Sequence, residues 1–214
     1  MDYSPLLDSP TELETDCLIL GFHGKRKCLP ATSRVDDALD GLLTQLLKRD
    51  NIEGKAGDTL LINHVPGFPA QRILLVGLGK KDELNVAAYR KALATAARVA
   101  GDSGARHAAS LLHEASVPGH TTGWNIRQAV EVFAGAAYKF TRLKKEEEEK
   151  PRRLNKLHFL VGEHEEADAR ESIKLGAAIA HGMTTARELA NLPGNVCTPT
   201  CLLYTSPSPR DQRG

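Results

Sequence analysis

The sequence predicts an α/β fold with a mixed, mainly parallel sheet between helix layers. Three observations carry this. Gln71 to Ala100 reads as strand, glycine turn and helix, which is half of a βαβ unit. Short apolar runs without alternation, such as Ile73-Leu74-Leu75-Val76, suit strands buried on both faces. Along the chain such runs alternate with segments of helical period, in the order β, α, β, β, α, β, α, β, α.

Taken in order, residues 1–14 read as a loose start. Cys17-Leu18-Ile19-Leu20, closed by Gly21, is a first buried strand, and Gly24 to Pro30 is a polar loop. Ser33 is placed to cap a helix whose apolar stripe runs through Val35, Ala38, Leu39, Leu42, Leu43, Leu46 and Leu47, with Asp36 at the capping-box position. Thr59-Leu60-Leu61-Ile62 is a second strand, and His64 to Pro69 a Pro/Gly loop. In the central unit, Asn85 is the expected N-cap. Val86, Tyr89, Leu93, Ala96 and Ala100 fall at helical spacing, and Gly101 is expected just past the helix end. Ala105 to Leu112 is a weaker strand. A helix follows from Trp124 through Ile126, Val130, Phe133, Ala137 and Tyr138. The charged run Leu143 to Arg153 reads as a solvated loop. Leu157 to Val161 is a strand, and Glu165 to Leu192 a long Ala-rich helix stopped by Pro193 and Gly194.

Composition narrows the function classes. The 214-residue chain is 41% hydrophobic and 26% charged, ordinary values for a water-soluble globular protein. A formal net charge of +1 gives no global attraction to nucleic acid or an anionic membrane. No apolar segment approaches the length of a membrane span. The acidic N-terminus lacks a signal core, so a cytoplasmic location is expected. Cys17, Cys28, Cys197 and Cys201 form no CxxC pair and read as reduced thiols.

Direct evidence of chemistry is sparse. The Gly77-Leu78-Gly79 turn invites a phosphate-loop reading, in which its amides would cradle an anion. However, Asp82 stands where a dinucleotide fingerprint needs glycine, and Leu74 and Lys81 break a Walker loop. A tight structural turn is the favoured reading. His113-Glu114 and His164-Glu165 lack the second histidine of HExxH, His158 and His164 stand six apart, and His181 is alone on its helix. Asp36-Asp37 and Glu165-Glu166 suit the first turns of helices. No GxSxG elbow is present. The residues describe a scaffold, with no catalytic, cofactor-binding or metal-ligating position assigned.

One family resemblance emerges at Glu188 to Thr200, ELANLPGNVCTPT. This stretch resembles the NLPxNxxTP segment that joins the two domains of leucyl (cytosol) aminopeptidases. Further stretches resemble that family's N-terminal domain: the strand Thr15 to Phe22, the Leu-rich helix at 39–49 followed by GKAGDTLLI, the central RILLVGLGKKDE, IRQAVE at 126–131, and AAIAHGMTTAREL. Each is weak alone; their order from Thr15 to Thr200 makes the match specific. The resemblance implies a macro-domain-like α/β domain, a catalytic C-terminal domain with two divalent metal ions (zinc or manganese), a hexamer, and release of N-terminal residues from peptides. The family's metal ligands lie downstream of NLPxNxxTP, so none transfers to this chain, which is expected to be inactive alone.

The expected organisation is an N-terminal α/β domain at 1–192, the start of a linker to a missing catalytic domain at 193–200, and a non-native tail at 201–214. CLLYTSPSPRD resembles a translated sequencing adapter; a native disordered Ser/Pro tail is the alternative. Two further functional readings remain open: a nucleotide- or nucleic-acid-binding module, which the near-neutral charge disfavours, and a purely structural subunit.

Overall fold

The structure, a computed structural model, describes residues 1–140 and 154–198. The expected solvated loop at 143–153 and the tail at 201–214 lie outside the described residues. Among the described residues seven strands form one sheet: β1 (Asp2–Leu6), β2 (Cys17–His23), β3 (Lys27–Cys28), β4 (Thr59–Ile62), β5 (Ile73–Gly77), β6 (His107–Ser110) and β7 (Lys156–Leu160). The order is β1-β7-β6-β2-β5-β4, with β3 beside β2. The pairs β1·β7, β7·β6, β6·β2 and β2·β5 are parallel, while β4·β5 and β2·β3 are antiparallel. The sheet is therefore mixed and mainly parallel, as the alternation predicts.

Five α-helices among the described residues cover both faces: α1 (Pro30–Ala38), α2 (Leu42–Arg49), α3 (Val86–Asp102), α4 (Thr122–Ala137) and α5 (Glu166–Asn191). Successive side chains of a strand point to opposite faces. Hence Leu18, Leu20, Phe22, Ile73 and Leu75 meet Val35, Leu43 and Leu47 of the α1/α2 layer. Cys17, Ile19, Leu74 and Val76 meet Tyr89, Leu93, Phe133 and Ile173 of the α3/α4/α5 layer. Burial on both sides accounts for the continuous apolar runs. Each of these large side chains contributes about 1.5–3 kcal/mol by leaving water. Gly176 lets α5 cross α4 closely, since a Cβ there would lie 2.9 Å from the Val130 Cβ.

Several local expectations are corrected. Residues 2–6 form edge strand β1, paired with a partner some 150 positions along, which no local pattern reveals. Pro5 is tolerated there because only an edge strand can spare a donor. The helix expected from Ser33 starts earlier, with Pro30 at its first position and Leu29 as N-cap. It then breaks at Asp40 and Gly41, both at positive φ (51° and 79°), and resumes as α2. Asp36 thus forms no capping box with Ser33. It caps α2 instead, accepting from the Leu43 N–H at 2.8 Å, the Thr44 N–H at 3.1 Å and the Thr44 hydroxyl. Gly101 lies within α3, which runs on to Asp102. Asn85 caps α3 as expected, accepting from the Ala88 N–H at 3.0 Å.

Candidate functional site

The central glycine turn is a junction of three backbone segments. The Gly77 N–H donates to the Asp58 carbonyl (2.8 Å), the Leu78 N–H to Phe22 (2.8 Å) and the Gly79 N–H to Gly54 (2.9 Å). A Cβ on Gly77 would lie 2.4 Å from the Lys55 carbonyl oxygen, and one on Gly54 2.6 Å from that of His23. Glycine is needed here because backbones meet without room for a side chain. All three turn amides point into the protein, so this is a structural turn and its amides form no anion nest.

Beside this junction lies a cavity of about 580 Å³. It opens between the carboxyl ends of β2 and β5, where β2 leads to the α1/α2 face and β5 to the α3 face. Such a parting of connections is where open α/β sheets leave a crevice. Three loops line it: Gly24-Lys25-Arg26, Glu53 to Ala56, and Leu78-Gly79-Lys80 with Glu83 and Ala88. Lys25 and Arg26 both sit in the left-handed region (φ 60° and 59°), an uncommon state for residues with side chains. Lys80 pairs with Glu83 at 2.7 Å. The Arg26 guanidinium donates to the Leu47 carbonyl at 3.3 Å. His23, buried at the end of β2, has Nδ1 3.2 Å from the Gly79 carbonyl oxygen. Burial lowers its pKa, partly opposed by that hydrogen bond.

The neighbouring β2·β6 end is closed. Leu29, Leu78 and Leu112 converge on Gly21, where a Cβ would meet them at 2.7, 3.2 and 3.1 Å. The segment after β6 is tied down from below. Buried Asn125 donates to the carbonyls of His113 (2.9 Å) and Ala115 (2.7 Å), and the Tyr89 hydroxyl donates to Leu112 at 3.3 Å. Glu114 accepts from the Ala31 N–H at 2.8 Å, which supplies α1 with the cap that Leu29 lacks.

The histidines singled out in the sequence are dispersed. His113 is buried edge-on to Phe159, and burial pushes its pKa down to about 4 against the opposing pull of Glu165. His158 bonds Ser4 at 2.8 Å across β1 and β7. His164 lies in the turn before α5 and His181 on an exposed face of α5. Glu165 accepts from the Gly162 N–H at 3.3 Å. No group of three or more His, Cys, Asp or Glu could hold a metal ion among the described residues, so these do not fit a divalent metal centre. The crevice cations were not apparent as a group in the sequence because they come from three separate loops with no spacing rule; the local signals are the polar run at 24–27 and the lysines that follow the Gly77-Leu78-Gly79 turn.

The N-terminal domain of the cytosol aminopeptidase family matches residues 19–147. The chain belongs to the cytosol aminopeptidase family. Relatives described as "Probable cytosol aminopeptidase" include one from Idiomarina loihiensis, 37% identical over 203 residues (94% of this chain, 40% of the relative). Another, from Paraburkholderia phytofirmans, is 38% identical over 193 residues (90% and 38%). The chain thus spans about 40% of the length of these cytosol aminopeptidases. Among solved structures, a mutant of tomato leucine aminopeptidase superposes with a TM-score of 0.73 at 24% identity, covering 95% of this chain and 41% of that one. The bottromycin maturation enzyme BotP, also solved in complex with Mn, gives 0.65 at 20% identity, covering 89% of this chain. These structural likenesses establish a shared fold. Of the stretch Glu188 to Thr200, residues up to Thr198 are described: after α5 the chain turns, with Val196 and Cys197 N–H groups donating to the Pro193 carbonyl at 2.8 and 3.0 Å. No helix among the described residues is long and apolar enough to cross a membrane.

Proposed function

We propose that residues 1–192 act as the non-catalytic N-terminal domain of a longer, metal-dependent leucyl-type aminopeptidase, with 193–200 leading towards its catalytic domain. One observation carries this reading: the family match falls on the N-terminal domain, and the relatives continue for more than as much again. The whole protein would release N-terminal residues from peptides in the cytoplasm. Its two divalent ions, zinc or manganese, would sit outside this domain, as the described residues do not fit them. There they would activate water and polarise the scissile carbonyl. In this chain no residue is given a catalytic role. The domain's own contribution would be scaffolding and assembly into a homo-oligomer, a hexamer on the family pattern.

The test is to read the source gene past codon 200 with adapter-free long reads and assay the complete product on leucine p-nitroanilide. Chelator-sensitive hydrolysis supports the proposal. A frame that truly ends in CLLYTSPSPRDQRG contradicts it.

A further inference from the structure

We propose that the crevice between the carboxyl ends of β2 and β5 binds a small organic anion, a doubly charged group carried on a body with an apolar face. Its volume of about 580 Å³ suits a small-molecule ligand. Its place follows from topology, at the parting of connections.

The ligand's chemistry follows from the walls. Four cationic residues, Lys25, Arg26, Lys55 and Lys80, line the crevice with two carboxylates, Glu53 and Glu83, and the Arg26 guanidinium is held by the Leu47 carbonyl. Lys80 is already paired with Glu83. Lys25 and Lys55 make no ion pair among the described residues. In a chain of net charge +1, this concentrates positive potential at one place. Leu78, Ala56 and Ala88 supply an apolar surface between the charged loops. The Gly77, Leu78 and Gly79 amides are occupied internally, so the glycine turn offers the anion no donors and recognition falls to the lysine side chains. Binding should therefore depend on lysine and weaken with salt, unlike a glycine-rich phosphate loop.

The experiment is titration of the full 214-residue chain with phenyl phosphate, followed by its amide NMR spectrum, with inorganic phosphate and phenol as separate arms. The expected result is saturable shifts confined to Gly24, Gly79, Lys80 and their neighbours, with millimolar or tighter affinity for phenyl phosphate and weaker binding of either half. The double substitution Lys25→Ala with Lys55→Ala should weaken binding about tenfold or more, and Glu53→Gln should strengthen it. No saturable shift, shifts elsewhere, undiminished binding by the lysine variant, or inorganic phosphate binding as tightly as phenyl phosphate would each overturn the proposal.

Discussion

Asp36 of α1 accepts the Leu43 N–H of α2 at 2.8 Å, so one helix carries the N-terminal cap of the next. The residue that would occupy the cap position itself, Gly41, has no side chain to offer. The same carboxylate also takes the Thr44 N–H and hydroxyl, and it is buried while doing so.

Removing this cap should be expensive for a surface helix. Asp36→Ala leaves two amides of α2 without acceptors and should cost about 1–3 kcal/mol in urea unfolding. Asp36→Asn keeps an acceptor and should cost less. Equal stability of Asp36→Ala and the parent chain would show that the cap is unimportant.

The glycines separate by environment. Gly101 lies inside α3 with open space where a Cβ would stand. Gly101→Ala should therefore stabilise the chain by about 0.5–1 kcal/mol. Gly77→Ala should destabilise it by several times as much, because its Cβ would lie 2.4 Å from the Lys55 carbonyl oxygen. Thermal unfolding of both variants decides the matter, and a destabilised Gly101→Ala would mean that α3 ends before this residue.

Acid should weaken the fold through His113. Its folded pKa, about 4, lies below the ordinary value of 6.5 because the ring is buried. The unfolded chain then binds a proton that the native state refuses. The contribution is fully present above about pH 6.5 and is lost as pH falls towards 4, up to about 3 kcal/mol. His23 and His158, also lowered by burial, act in the same sense. His113→Leu should flatten the stability profile across this window. An unchanged slope would remove His113 as the cause.

The layout of the fold was legible where strands are buried on both faces. Leu18 to Leu20 and Ile73 to Val76 announce themselves because both neighbours demand apolar side chains. Asn85 reads as a cap because its acceptor lies three residues away. The rest depends on distant partners. Asp2 to Leu6 becomes a strand only beside Lys156 to Leu160. Asp36 looks like a capping-box residue until the left-handed turn at Asp40 and Gly41 swings α2 onto it. The glycine turn is structural, yet its reason, the Gly54-Lys55 backbone passing against Gly77, is tertiary. The crevice was not legible, since Lys25, Lys55 and Lys80 meet only through the sheet.

The most direct measurement is hydrolysis of leucine p-nitroanilide by the purified 214-residue chain, with zinc or manganese supplied. A scaffold domain gives no rate above the metal-containing buffer. Metal-dependent turnover that copurifies with the folded chain would contradict the non-catalytic assignment.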